Sequence, residues 1–292
     1  MSARLSVVYP SAKDKWRIAD LWQKSFNDSP AYIELFFTRV YRPENTLVIK
    51  RDGLIVSALQ MLPYKAKFDD SILPVAYICG ACTHPLERGQ GLMKTLMRHA
   101  KLEMSRRGFA LSVLIPAEPS LFDYYRVLGF SNTIYHPVEY LNDDDFSADT
   151  VDSCYPLRFE ESTVKHFDYF NRKQQERGRT VIHDAYDYET ILQELKSYGG
   201  KSFVAFHDNT PAGIAFAEKI SNDTVHVKEV MADSEKVFSA LYGYAFRLFD
   251  ARRLKICDSR HAVKQRVAYG LGCNLDDTDR RLSRFSMSLM HD

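Results

Sequence analysis

The sequence lacks the features of several large protein classes. It contains no apolar run approaching the ~20 residues of a membrane-spanning helix, and its first residues lack the apolar segment of a signal peptide. Cations are not in excess, since 39 Lys and Arg face 38 Asp and Glu and leave a net charge of +1. A chain without spare cations is poorly suited to displace the counterions of a nucleic acid. We therefore expect a cytoplasmic globular protein that binds neither membrane nor nucleic acid.

Cysteine and metal-ligand patterns are also sparse. The five cysteines are odd in number and scattered, which is typical of a reducing compartment rather than a disulfide framework. Cys79 and Cys82 form a C-x-x-C, but they lie in a strand-like stretch rather than at the start of a helix. This placement favours neither a redox pair nor a zinc site. The nine histidines show neither H-x-x-x-H nor HExxH spacing, so we predict no metal.

The chain has ample material for packed cores. Its 292 residues are 45% hydrophobic and include 18 Phe and 17 Tyr, and about 150 residues per domain gives two domains. Hydrophobic periodicity alternates between strand-like and helix-like segments, which indicates an α/β (α+β) layered architecture. In the first half we predict helices at 14–26, 31–40, 91–107 and 120–128, and strands at 47–50, 54–61, 75–82 and 109–115.

The second half repeats this order of elements. Strand-turn-strand, strand, helix and strand patterns follow at 203–216, 224–231, 237–249 and 254–257, and residues 268–273 occupy the position that 125–130 hold in the first half. The repeat predicts a duplicated domain, with boundaries at 1–142 and 156–292 and a polar linker at 143–155. Two unrelated α/β halves remain the alternative.

One segment carries the pattern of a ligand site. Arg88, Gly89, Gln90 and Gly91 follow a predicted strand and open the longest predicted helix. Glycines let a backbone approach a ligand closely, and the free N–H groups and dipole of a helix N-terminus suit a pyrophosphate. Arg88 can add charge-assisted hydrogen bonds to phosphate. The spacing matches neither the dinucleotide-fold motif nor the P-loop. Taken alone, the segment also fits a plain tight turn.

The context of this loop resembles the GCN5-related N-acetyltransferase (GNAT) superfamily. That family carries an [RQ]-x-x-G-x-[GA] loop, then a helix and a strand, then a helix ending F-Y-x-x-x-G-F. Residues 88–93 and 124–130 match the two motifs in that order. Met93 departs from the usual Gly or Ala, so its side chain must point away from the cofactor.

Met93 and the degenerate second copy resemble the Eis-type branch, here without a sterol-carrier-like domain. The resemblance implies two tandem GNAT-like domains, each a mixed, mostly antiparallel sheet with helices on both faces.

The resemblance also implies a co-substrate and a set of site residues. Acetyl-CoA would be bound by its pyrophosphate and its pantetheine, with a backbone N–H of Cys82 or Thr83 holding the thioester carbonyl. Tyr125 would be the general acid for the leaving thiolate, whereas Tyr124 is expected to pack. The cofactor-binding residues are Ala81, Cys82, Thr83, Arg88, Gly89, Gln90, Gly91, Leu92 and Met93.

The general base stays unassigned. The strand at 77–83 holds no carboxylate, and the candidates elsewhere are His84, Glu118, His136 and the C-terminal carboxylate of Asp292. The second copy has no glycine and two acids at 232–237, where the first has its loop. We therefore expect the first domain to bind the cofactor and the second to shape the acceptor site.

The sequence thus predicts an N-acetyltransferase that moves an acetyl group from acetyl-CoA to a primary amine by direct attack. The acceptor would be a small molecule or a peptide, and its identity is not predicted. Two alternatives stay open, namely a non-catalytic module that binds acyl-CoA and an acyltransferase that uses a longer acyl-CoA. A homo-oligomer is also left open.

Overall fold

A computed structural model describes residues 5–142, 145, 157–257 and 265–291. The predicted linker at 143–155 lies outside the described residues except for Asp145. Within the described ranges the chain forms two compact units. The first comprises the residues up to Ile134 together with Tyr269–Phe285 and His291, and the second comprises Tyr135–Ala268 and Ser286–Met290.

The first half of the chain follows the predicted order of elements. Its helices are α1 (Lys15–Gln23), α2 (Pro30–Arg39), α3 (Leu92–Arg106) and α4 (Leu121–Val127). Its strands are β1 (Leu5–Val8), β2 (Thr46–Arg51), β3 (Leu54–Phe68), β4 (Ser71–Thr83), β5 (Leu111–Leu114), β6 (Asn132–Pro137) and β7 (Glu139–Asn142).

The second half adds seven strands and three helices among the described residues. The helices are α5 (Phe167–Gln175), α6 (Ala185–Ser197) and α7 (Glu235–Phe249). The strands are β8 (Leu157–Glu161), β9 (Arg179–Ile182), β10 (Lys201–His207), β11 (Thr210–Lys219), β12 (Thr224–Ala232), β13 (Arg253–Ile256) and β14 (Arg266–Asn274).

The first unit is built around a mixed sheet with strand order β1-β2-β3-β4-β5-β14-β6. Neighbouring strands from β1 to β4 are antiparallel, and β4 and β5 are parallel. The apolar stripe of α3 packs on one face of the sheet, against side chains such as Met61 and Ile78. Because strand side chains alternate, Tyr77 faces the other side, where its hydroxyl donates to the carbonyl of His291 at 3.0 Å.

The hairpin of β2 and β3 confirms a local sequence signal. Asp52 and Gly53 form its turn, with φ of 50° and 84°, as the Asp-Gly pair predicts. The long helix also lies where its amphipathic pattern places it, since α3 covers 92–106 of the predicted 91–107.

The second unit repeats the layout with strand order β7-β13-β12-β11-β10-β8. Here β12 and β13 form the parallel pair. Helix α7 packs on one face through residues such as Leu241 and Phe246, and α5 and α6 contribute Phe170 and Ile191 to a separate core cluster. The predicted α/β (α+β) architecture, with two tandem units that are each built on a mixed sheet, is confirmed.

Each sheet contains a strand from the other half of the chain. In the first unit β14 pairs antiparallel with β5, from Leu271 opposite Leu114 to Asn274 opposite Leu111. In the second unit β7 pairs antiparallel with β13. The equivalence predicted between residues 268–273 and 125–130 is therefore wrong, because 266–274 form a strand whereas 121–127 form a helix.

No helix among the described residues is both long enough and apolar enough to cross a membrane.

Candidate active site

Strand β4 separates from its neighbour β5 towards its C-terminal end. The two strands pair in parallel from Val75 opposite Leu111 to Ile78 opposite Leu114, and the pairing stops there. Residues 79–83 continue β4 beside β3 only. This stretch, called the open edge below, is not paired with β5 on the side away from β3.

A β-bulge lies at the start of the open edge. Gln60 pairs with Cys79 and Ala58 pairs with Cys82, so Gly80 and Ala81 together lie opposite Leu59. Gly80 has φ of 56°, a left-handed conformation that glycine adopts without steric cost. A bulge bends and twists its strand, which agrees with the separation of β4 from β5 at this point.

Hydrogen bonds show which groups of the open edge face outwards. The N–H of His84 donates to the carbonyl of Val56 on β3 at 2.9 Å, and the Ser57 hydroxyl donates to the carbonyl of Cys82 at 2.9 Å. Successive residues of a strand point their N–H groups to opposite sides. The N–H of Thr83 therefore points away from β3, into the open side.

The loop after β4 is held open by two glycines. Gly89 and Gly91 have φ of 77° and 73°, and a Cβ added at either would meet nothing within 4 Å. Their left-handed backbone therefore favours glycine, and no described residue fills the space in front of them. A ligand can approach the backbone of this loop closely.

The N-terminus of α3 offers free hydrogen-bond donors. Gly91 is the N-cap and has no side chain to cap the helix, and the first helical hydrogen bond runs from the N–H of Thr95 to its carbonyl at 3.0 Å. The N–H groups of Leu92, Met93 and Lys94 therefore have no partner within the helix. With the positive end of the helix dipole, they suit an anion.

Side chains fix the loop at two points. Arg88 donates through Nε to the carbonyl of Thr83 at 3.2 Å, and no other hydrogen bond of its side chain to the described residues exists, so both Nη groups are free. Gln90 accepts at Oε1 from Arg51 Nη2 at 2.7 Å and donates to Glu87 at 3.1 Å. The loop is thus tied to the end of β4 and to the end of β2.

Tyr125 lies on α4 in the core cluster that contains the stripe of α3. Burial raises the pKa of its hydroxyl to about 12, so the group stays protonated at neutral pH. Its hydroxyl makes no hydrogen bond to the described residues. The neighbouring Tyr124 is 38% exposed, and the two rings meet edge to face with centroids 5.3 Å apart.

The C-x-x-C cysteines lie in β4, and neither forms a disulfide with a described residue. Burial raises the pKa of the Cys82 thiol to about 12, which opposes formation of the thiolate that redox and metal chemistry need. In the part of the chain that the structure describes, no group of three or more His, Cys, Asp or Glu side chains could hold a metal ion.

The structure gives the candidate bases different surroundings. His84 accepts the N–H of Leu86 through Nδ1 at 3.3 Å and so caps a short 3-10 turn. Glu118 is exposed and accepts from Ser120 at 3.4 Å, and His136 belongs to the second unit. Asp292 lies outside the described residues, so its role stays a prediction.

In the second unit the two parallel strands also separate, but the helix that follows the first of them has a capped N-terminus. There β12 pairs with β13 only from Thr224 to Val227, although β12 continues to Ala232. The N-terminus of α7 is capped by Ser234, whose side chain accepts from the N–H of Val237. Asp233 pairs with Arg172 and Lys173 at 3.3 Å each. A capped helix end beside a carboxylate is a poor anion site.

The sequence analysis predicted that the open edge and the loop form one site, but it did not identify Arg51, Ser57 and Glu87 as residues that support this site. Arg51 and Gln90 are 39 positions apart in the sequence, and their contact depends on the register of β2 beside β3. For Glu87 the sequence does offer one signal, because it places an acidic residue directly before Arg88, beside a candidate phosphate loop.

The comparisons with known proteins agree with this geometry. Residues 8–133 match the family model described as "Acetyltransferase (GNAT) domain", and a search of the curated proteins found no match. A probable N-acyltransferase from Enterococcus faecalis V583 aligns with TM-score 0.77 at 16% identity, covering 94% of this chain and 73% of that one.

Two further solved structures share the fold. Eis1 from Mycobacterium abscessus aligns with TM-score 0.68 at 12% identity, over 93% of this chain and 74% of that one. A tandem GNAT protein from the clavulanic acid biosynthesis pathway aligns with TM-score 0.52 at 14% identity, over 94% of this chain and all (100%) of that one.

The fold and the loop thus define an acyltransferase framework that supports acyl transfer from acyl-CoA. More narrowly, residues 8–133 match the GNAT acetyltransferase domain model, and this match together with the shared fold supports the resemblance to the GNAT superfamily found from the sequence.

Proposed function

We propose that this chain is an N-acetyltransferase that moves an acetyl group from acetyl-CoA to a primary amine. The observation that carries the proposal is the register of β4, which leaves residues 79–83 unpaired by β5 directly before a loop with two left-handed glycines and an uncapped helix. An extended pantetheine chain can pair with such an edge, and a pyrophosphate with such a loop.

The proposed contacts use the residues predicted from the sequence. The backbone N–H groups of residues 89–93 and the Nη groups of Arg88 would hold the pyrophosphate, and Ala81, Cys82 and Thr83 would line the pantetheine. The N–H of Arg88 itself donates to the carbonyl of Pro85 at 3.4 Å. The orientation of their N–H groups favours Thr83 over Cys82 as the donor to the thioester carbonyl. Bound acetyl-CoA supplies an acyl group that an amine can attack.

Two groups of the chain would assist that attack. The N–H of Thr83 would donate to the carbonyl oxygen as negative charge develops on it. Tyr125 would hold a proton at its hydroxyl oxygen for the departing sulfur, since its raised pKa keeps the hydroxyl protonated. The second unit, with its capped α7, would bind no acyl-CoA and would contribute to the acceptor side.

Thermal unfolding with and without acetyl-CoA tests the proposal. Ligand at about 100 times its dissociation constant stabilises by roughly 2.7 kcal/mol, which corresponds to about 5 °C or more for a protein of this size. We expect the shift in the wild type and its loss in Gly91→Asp, because the new carboxylate faces the phosphate.

Gly91→Asn is the matched control. Asn and Asp tolerate the left-handed conformation similarly, so Asn should retain more of the shift than Asp. A folded wild type that shows no shift would overturn the proposal. A shift without release of CoA thiol on any primary amine in a broad panel would favour the non-catalytic module instead.

A further inference from the structure

Three side chains form a closed set of contacts behind the loop. The Arg51 Nη1 lies 2.6 Å from a Glu87 carboxylate oxygen, Nη2 lies 2.7 Å from Gln90 Oε1, and Gln90 Nε2 lies 3.1 Å from Glu87. We call Arg51, Glu87 and Gln90 the loop triad. Each member contacts the other two, and only Gln90 belongs to the motif.

Within the loop triad the pair of Arg51 and Glu87 is partly shielded from water, whereas Gln90 is exposed. The Arg51 and Glu87 side chains are 25% and 19% exposed, so solvent and salt screen their interaction less than at an open surface. The Nε of Arg51 is buried without a hydrogen bond. All hydrogen bonds of this guanidinium to the described residues therefore go to the loop.

The positive charge of Arg51 has a second role, which is to compensate the negative charge of Glu87. Glu87 lies directly before Arg88, where a carboxylate would repel the two negative charges of a pyrophosphate. Arg51 compensates that carboxylate at 2.6 Å. It also holds the side chain of Gln90, the residue between the two left-handed glycines, so that the neighbouring N–H groups keep one orientation before the ligand arrives.

We propose that Arg51 is a positioning residue for the phosphates of the acyl donor, acting through Glu87 and Gln90. The inference rests on the proposed function, and it assigns to a strand residue outside the motif a share of the affinity for the phosphorylated part of the donor. A residue of this kind alters recognition of the phosphates and leaves acyl transfer itself unchanged.

The test compares two donors, acetyl-CoA and S-acetylpantetheine, which lacks all phosphates. Arg51→Met keeps an apolar stem but removes the charge and both hydrogen bonds. Loss of charge-assisted hydrogen bonds predicts a KM for acetyl-CoA raised by about tenfold or more, with kcat little changed. The KM for S-acetylpantetheine should not change, since that donor does not reach the loop.

A second variant separates charge from general damage. The double variant of Arg51→Met and Glu87→Gln also removes the carboxylate that the first substitution leaves unpaired. We expect its KM for acetyl-CoA to fall back most of the way to the wild-type value. Arg106→Met is the matched control, because Arg106 pairs with Glu103 at 2.7 Å near the other end of α3. It should leave the KM for both donors unchanged.

Two outcomes would overturn the inference, namely an unchanged KM for acetyl-CoA in Arg51→Met or an equal rise of KM for both donors. Failure of the proposed function looks different. In that case the wild type itself would transfer no acetyl group, or its KM for S-acetylpantetheine would equal its KM for acetyl-CoA.

Discussion

Among single residues, Tyr125 is the one on which the proposed chemistry depends most. Tyr125 and Tyr124 are adjacent on α4 and differ in surroundings, since Tyr125 is 8% exposed and Tyr124 is 38% exposed. Burial is the main cause that raises the pKa of each hydroxyl. The pair therefore provides its own internal control.

Tyr125→Phe should lower kcat by about 10²-fold, the lower end of what a general acid contributes. The dissociation constant for acetyl-CoA should change little, because the ring and its packing remain. Steady-state kinetics together with binding by calorimetry measure both quantities. Tyr124→Phe should keep kcat within about twofold of the wild type, and equal losses in the two variants would contradict the assignment.

The raised pKa of Tyr125 also predicts how kcat depends on pH. A hydroxyl with a pKa of about 12 stays protonated throughout pH 7–10, so its ionisation should cause no alkaline loss of kcat in that range. An alkaline loss with an apparent pKa near 10 that disappears in Tyr125→Phe would show that the hydroxyl ionises normally.

At the scale of the element, β4 combines a bulge, an open edge and a parallel segment within one strand. A Cβ at Gly80 would lie 2.2 Å from the Trp22 ring and 2.3 Å from Gln60 Oε1. The side chains packed on β4 therefore require a glycine here in addition to the left-handed backbone. The bulge is fixed by packing from α1 as well as by its own conformation.

Gly80→Ala should therefore be more destabilising than Gly53→Ala. Both residues have positive φ, but a Cβ at Gly53 would meet nothing within 4 Å, so strain of roughly 1–2 kcal/mol is expected there. The clash at Gly80 should add roughly 1–3 kcal/mol. Denaturant unfolding of the two variants measures the difference, and similar losses of stability would argue against a packed bulge.

The predictability of these elements follows from the range of the interactions that form them. The amphipathic stripe of α3, the Asp52-Gly53 turn and the loop glycines are local signals, and each was found from the sequence. The bulge at Gly80 and the end of the β4–β5 pairing at Ile78 depend on strand register and on Trp22. No local pattern encodes them, so the open edge came from the family resemblance alone.

The same reasoning applies to single site residues. Arg88 and Tyr125 belong to the two recognisable sequence motifs. Arg51 ends β2 and belongs to neither motif, and its proposed role comes from its contacts with Glu87 and Gln90 in the loop after β4. The predicted domain boundaries at 142 and 156 stay a prediction.

For the molecule as a whole, the exchange of β7 and β14 matters most. The match to the family covers 8–133, yet β5 in that segment pairs with Leu271–Asn274 of β14. A fragment of residues 1–142 would expose the edge of β5 and lose buried side chains such as Leu282 and Phe285, each 1% exposed. Unpaired edges and missing core favour aggregation.

We therefore expect fragment 1–142 to lack a cooperative melting transition under conditions in which the full chain has one. Circular dichroism during heating, with light scattering to detect aggregation, measures this. The control is fragment 1–142 mixed with a peptide of residues 266–292, which should restore part of the signal. A stable fragment that binds acetyl-CoA alone would show that β14 is dispensable.

The exchanged strand also has a consequence for synthesis on the ribosome. Leu111 emerges long before its partner Asn274, so the first sheet cannot be completed until the strands of the second half have been synthesised. The site-bearing half must wait, with the edge of β5 uncovered, until β14 has left the exit tunnel. Folding of the first unit therefore depends on the arrival of β14, and chaperones that shield nascent chains should influence the yield of the protein more than its final stability.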